Sequence, residues 1–210
     1  MLETTRRKDE EGSLTQLIAD LDMKKNRKSS MTFLGAALTL LFALSPVTGK
    51  SVDLKINPSA SAVTFKVGSF WGNVDGRFNR WDSTVLVSPD FSHASGMVTI
   101  QIASIDTGNE GRDDHLRNPD FFASQQFPTA TYRLEAIASE NNTVTTDGTL
   151  TIRGVSRPLK IVFRKQASDS GVRLHGSFTL NRKDFGVDYD SVLNPIDDNV
   201  TVNLSVLLAQ

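Results

Sequence analysis

Val200-Thr201-Val202-Asn203-Leu204-Ser205-Val206-Leu207-Leu208 alternates apolar and polar side chains along almost its whole length. Successive side chains of a strand point to opposite faces, so this period of two marks a β-strand with one apolar and one wet face. The pattern returns at Val63, Phe65, Val67; at Val98, Ile100, Ile102; at Tyr132, Leu134, Ala136; and at Val172, Leu174, Gly176, Phe178, Leu180. Turn signals separate the runs: Ser88-Pro89-Asp90, Asn141-Asn142, Asp147-Gly148, Gly154 to Pro158, Asp169-Ser170-Gly171 and Asn194-Pro195. Each holds a Gly, Pro or Asx residue able to supply the dihedrals of a reversal. An all-β chain of about eight antiparallel strands follows. No long helical pattern alternates with the strands, which argues against a parallel α/β sheet. Eight strands either stack as a sandwich or close into a barrel, and alternation alone is compatible with both. Gly76, Gly96 and Gly176 lie in or beside the strands, where Gly marks curvature or room for another group.

One segment breaks the pattern. Ile105 to Pro128 is dense in charge and prone to helix. Asn109 is placed to cap a helix from Glu110 to Asn118, Asp113 and Arg117 stand one turn apart, and Pro119 stops the helix at Asn118. A second short turn then brings Phe121, Phe122 and, further on, Phe127 onto what lies beneath. The segment reads as a lid over an apolar space, or as the closure of an ordinary barrel core.

Asp106-Thr107-Gly108-Asn109, Arg112-Asp113, His115-Leu116-Arg117 and Pro119-Asp120-Phe121-Phe122 resemble the helical insertion of the YceI-like family of bacterial periplasmic lipid-binding proteins. Further matches follow in order at Val74 to Trp81, Gly148 to Pro158 and Leu180 to Val187. The resemblance implies an eight-stranded antiparallel, lipocalin-like barrel with a short helical lid. It also implies a ligand class: polyisoprenoids, isoprenoid quinones or fatty-acyl compounds, bound without any other cofactor. The first strand of such proteins often ends in His. Here Phe65-Lys66-Val67 runs into Gly68-Ser69-Phe70, so no role of that His carries over.

The first 49 of the 210 residues read as an N-terminal extension and secretory signal. Lys24, Lys25, Arg27 and Lys28 precede an apolar run from Met31 to Leu44, then Pro46, Val47, Thr48 and Gly49. That run is shorter than the ~20 residues a membrane span needs. The domain is then Lys50 to Gln210, with 16 Lys and Arg against 18 Asp and Glu, and a periplasmic location is expected. The chain holds no Cys, hence no disulfide framework and no thiol chemistry. Neither a basic stripe nor a nucleic-acid motif appears, and Arg153, Arg157, Arg164 and Lys165 read as solvated strand faces.

The expected ligand walls are Phe65, Phe78, Val98, Ile100, Ile102, Leu134, Phe163, Phe178 and Phe185, with Phe121 and Phe122 closing one end. Arg77, Asp106, Arg112, His115 and Arg117 form the expected polar mouth. In the motif from Thr179 to Val187, Phe185 should plug inward while Arg182 and Asp184 stay wet. No catalytic or metal site is assigned: there is no Gly-x-Ser-x-Gly elbow, no His-Glu-x-x-His and no nucleophile beside His115. The plainer role for His115, Asp106 and Arg112 is to tie the lid to the rim. Expected partners are an apolar lipid and, for its exchange, transient contact with a membrane; the sequence leaves monomer and homodimer open. Two other classes stay open. An enzyme would pair His115 with Asp106 or Asp113 in a short polar cleft, and a protein-interaction scaffold would have a fully packed barrel.

Overall fold

The computed structural model describes residues 52–190 and 192–210. The extension and signal expected over 1–49 lie outside the described residues. Strands β1 (Leu54–Ile56) and β2 (Ala62–Ser69) are one chain pass interrupted by a 3-10 turn at Pro58–Ala60. The next pass is β3 (Gly72–Phe78), β4 (Trp81–Ser83) and β5 (Leu86–Val87). The third is β6 (Ala94–Gln101) and β7 (Ile105–Asp106), parted by a 3-10 turn at Ile102–Ser104. Helix α1 (Glu110–Arg117) follows, then β8 (Thr129–Glu140), β9 (Thr143–Ile152), β10 (Val155–Ser168), β11 (Gly171–Asn181) and β12 (Ile196–Ala209).

The twelve hydrogen-bonded segments are thus pieces of eight passes, each antiparallel to its chain neighbours. Closure comes from β12, which pairs with β1 at Ile56 and Leu208 and with β2 from Ser69 to Ala62. Among the described residues the result is a closed eight-stranded up-and-down barrel with one short helix, and the choice between barrel and sandwich is settled by those last ladders.

Local chemistry explains the hairpins. Ile152 pairs with Val155, leaving Arg153 and Gly154 as a two-residue turn with φ of 50° and 74°. Positive φ at both central residues matches the right-handed twist of the flanking strands. Asp147-Gly148 is not a turn. Both lie inside β9, beside a bulge between Leu134 and Ala136 of β8. A Cβ on Gly148 would stand 2.3 Å from the Arg133 carbonyl oxygen and 2.7 Å from the Tyr132 ring, so close approach is what this glycine provides. Gly76 and Gly176 give room to a neighbour, not to a ligand. Each sits opposite a phenylalanine, Phe65 and Phe163, whose ring occupies the space a Cβ would take.

The pleat sends the alternating apolar residues inward, and the inside differs between the two ends. Leu54, Val85, Val87, Phe91, Leu134, Val144, Ile161, Phe163, Leu174 and Leu208 form one buried cluster beneath β1 and β5. Towards the lid, Val67, Val74, Leu180, Val200 and Val202 continue the same inward rows yet keep accessible surface. They face a cavity.

Two glycine substitutions should act with opposite sign. Gly148→Ala meets backbone and should cost about 1–3 kcal/mol as an overpacked site. Gly111→Ala, in α1 with nothing nearer its Cβ than Asn109 Oδ1 at 3.6 Å, should stabilise by up to about 1 kcal/mol through helix propensity. Urea unfolding of both variants checks the pair.

Candidate functional site

The lid is built from capping and arginine bonds. The Asn109 side chain accepts the Arg112 N–H at 2.9 Å, and α1 ends at Arg117, one residue before the expected Asn118. Arg117 donates to the carbonyls of Ala103 and Ile105 and pairs with Asp114 at 2.7 Å. Asp113 is not on that wet face with Arg117. It is buried and accepts from the Thr107 N–H and hydroxyl, while Arg112 donates to the Thr107 hydroxyl and carbonyl. After Asn118 the chain makes tight turns, with Phe121, Ala123 and Ser124 N–H groups donating back to Asn118, Asn118 and Arg117. Arg153, expected on a solvated face, instead donates to the carbonyls of Pro119 and Phe121 and pins this second turn.

Asp106 anchors the start of the insertion. Its carboxylate accepts from the Gly108 N–H, the Asn79 amide and, through two bonds, the Arg77 guanidinium. Chiefly the Gly108 bond, then those of Asn79 and Arg77, lower its pKa to about 2. A depressed carboxyl contributes stability that is complete above the ordinary Asp range near ~4 and is lost as pH falls towards 2.

The cavity encloses about 530 Å3. Its walls include Val63, Phe65, Val67 and Val74 from β2 and β3, Ile100, Ala130, Leu150 and Ile152 from the middle strands, and Phe178, Leu180, Val200 and Val202 from β11 and β12. The lid contributes Arg112, His115 and Leu116, one face of α1, with Phe121 and Phe122. Phe65, Phe78 and Phe122 form an aromatic series across one wall, with centroids 5.7 and 6.4 Å apart. His115, Phe121 and Tyr189 form a second group at 4.7 to 5.0 Å.

Of the residues expected in the walls, Phe65, Phe78, Ile100, Ile102, Phe121, Phe122, Phe178 and Phe185 line the cavity. Val98, Leu134 and Phe163 do not. Their inward direction was legible but their height along the barrel was not, and they belong to the packed end. Phe127 lies against Gly154, outside the cavity. At the mouth, Arg112 and His115 line the cavity, whereas Arg77, Asp106 and Arg117 are engaged in the bonds described above. His115 contributes ring contacts to the lid, and its nearest carboxylate is Asp120 at 4.0 Å. Asp106 and Asp113, its partners in the enzyme alternative, are both committed elsewhere.

Arg182 was expected to stay wet and is 5% exposed. It donates to the carbonyls of Val187, Tyr189, Ile196 and Asp197 and to the Asp198 carboxylate at 3.1 Å. Polar residues in a turn motif gave no sign that this guanidinium ties Val187 and Tyr189 to Ile196, Asp197 and Asp198. Beside it, hydrogen bonding to Asp198 raises the Lys183 pKa and lowers that of Asp198. Among the described residues no three His, Asp or Glu side chains converge at metal-binding distance.

A closed antiparallel barrel, packed at one end and holding an apolar, lidded cavity at the other, defines a fold suited to enclosing one small apolar molecule. The sequence profile of the YceI-like domain matches residues 54–208, and the chain belongs to the YceI-like family. A UPF0312 protein of Shewanella baltica is 31% identical over 201 residues, covering 88% of this chain and 97% of that protein. Burkholderia cenocepacia BcnA shares the fold at a TM-score of 0.68 and 22% identity, over 74% of this chain and all of that one. A polyisoprenoid-binding domain from Saccharophagus degradans does so at 0.60 and 16%, over 76% and 98%.

Arg182→Met should release Val187 to Tyr189 from Ile196 to Asp198, because four carbonyls and Asp198 lose their donor, at a cost of about 3–5 kcal/mol. Hydrogen exchange should show the loss there first. For Asp106, NMR titration should find a carboxyl near 2, with amide protection at Gly108 falling as pH drops from about 4 towards 2 and absent in Asp106→Asn.

Proposed function

We propose that the protein binds one long apolar lipid inside its barrel, in the periplasm, and carries or stores it. The single observation behind this reading is the cavity. At about 530 Å3 it falls within the ~300–1,000 Å3 of small-molecule sites. Its walls are phenylalanine, valine, isoleucine and leucine with few polar groups, which selects hydrocarbon by removing it from water. Each buried methylene is worth about 0.8 kcal/mol, so ten give about 8 kcal/mol before the entropy of association is subtracted. No charged contact is needed for binding of that strength. Support for a polyisoprenoid or similar chain comes from the Saccharophagus degradans domain of the same fold, whose name states that ligand. The basic and apolar segments at Lys24 to Leu44 support export. An enzymatic reading has less support, since His115 is held between two aromatic rings and both expected Asp partners are occupied.

Native mass spectrometry with solvent extraction should find one lipid per chain in protein purified from its own cells. Ile100→Trp should fill the cavity and reduce lipid content at least tenfold, with a stability change under about 1.5 kcal/mol. A lipid-free parent, together with a Trp variant that melts early, would overturn the reading.

A further inference from the structure

The β2–β3 hairpin turns on Phe70 and Trp71, between the paired Ser69 and Gly72. Turn positions favour Gly, Asn, Asp and Ser, which supply unusual dihedrals or bond to the backbone, and two large aromatics serve neither purpose. They also stay out of the core. Phe70 is 68% exposed and Trp71 78%, their rings meeting edge to face at 5.1 Å. The neighbouring loop presents Val192, 100% exposed, and Leu193, 86% exposed. That loop is tied to the hairpin by the Phe70 N–H, which donates to the Pro195 carbonyl at 3.1 Å, and by the pairing of Ile196 with Ser69. Four large apolar side chains therefore project from two joined loops at one end of the barrel. Trp71 lines the cavity as well, beside Gly72, Asn73 and Asn194, so the apolar tip is continuous with the place where the cavity meets solvent.

We infer that this tip is a membrane-docking element: Phe70, Trp71, Val192 and Leu193 enter the interfacial layer of a lipid bilayer and set the cavity mouth against it. The inference rests on the lipid-binding reading above. Size and charge select the occupant. A stable protein interface buries about 800 Å2 per partner over some 20–30 residues, far more than four side chains on two loop tips provide. Insertion into a bilayer interface needs only the tip's own apolar surface, and Trp is well matched to that depth because its ring is apolar and its N–H is not. Around the tip, Asp188, Asp190, Asp197 and Asp198 outnumber Arg182 and Lys183, which are paired with Asp190 and Asp198. A net acidic rim gains nothing from anionic lipid, so the preferred surface is zwitterionic.

Trp71 is the reporter: the other tryptophan, Trp81, is 9% exposed in the core, and its emission is subtracted with Trp71→Phe protein measured in parallel. Protein recovered after export, without the apolar Met31 to Leu44 run, is titrated with phosphatidylcholine vesicles carrying brominated acyl chains, then with vesicles in which a third of the lipid is phosphatidylglycerol. Trp71 emission should shift to the blue and be quenched, no more strongly on the anionic vesicles. The triple variant Phe70→Ser, Val192→Ser, Leu193→Ser removes three tip residues that do not line the cavity. It should weaken vesicle binding at least tenfold while its lipid content by native mass spectrometry stays at the parent level. Lipid-loaded parent whose Trp71 is unquenched on both vesicles would overturn the docking proposal and leave the cavity reading standing. Parent protein without lipid would remove the reading beneath it. A Trp71 blue shift that grows with protein concentration in the absence of vesicles, with a dimer mass, would give the tip to a second copy and overturn the proposal too.

Discussion

The inward faces of eight strands enclose a space that an eight-stranded barrel's side chains are just able to fill, and here they fill it at one end only. At the β1 and β5 end the inward residues include Phe91, Phe163, Leu134, Leu174 and Leu208, and they interlock. Towards the lid the rows continue as Val67, Val74, Ala130, Val200 and Val202, with Phe65, Phe78 and Phe178 among them, and a space of about 530 Å3 stays open between the walls. Cross-strand pairs such as Val202 with Phe65 and Val200 with Val67 keep the walls regular while the middle stays open. The lid, the mouth and the functional reading all follow from that open end.

An open end exposes irregular backbone, and irregular backbone needs partners for its carbonyls. Four arginines supply them. Arg112 serves Thr107, Arg117 serves Ala103 and Ile105, Arg153 serves Pro119 and Phe121, and Arg182 serves Val187, Tyr189, Ile196 and Asp197. A planar, always-charged fork reaching several acceptors suits segments that no ladder can satisfy. The lid is thereby held by polar bonds while its Phe121 and Phe122 face the cavity beside Arg112 and His115. The enclosed space stays apolar although the segment above it is densely charged.

Much of the barrel was legible because side-chain period and turn chemistry are local. The alternation from Val172 to Leu180 and from Val200 to Leu208 placed each residue on its observed face, and Asn109 and Pro119 bounded α1 to within a residue. What depends on height or on distant partners was not local. Val98, Leu134 and Phe163 point inward as expected but below the cavity, and nothing within a strand reports how far along the barrel it sits. Asp147-Gly148 has the composition of a turn, yet Gly148 answers to Tyr132 and Arg133 on the neighbouring strand. Arg182 reads as a surface residue until β12 brings Ile196 to Asp198 against it. Closure itself depends on the pairing of β1 and β2 with β12, at least 127 residues apart in the chain.

The central claim is that an apolar chain occupies the lidded half of the barrel and not the packed half. Intermolecular NOEs between bound lipid and assigned methyl groups test it directly. The account predicts cross-peaks from the lipid chain to Val67, Leu180, Val200 and Val202 and none to Leu174 or Leu208. Lipid contacts confined to the outer surface, or cross-peaks reaching Leu174 and Leu208, would contradict it.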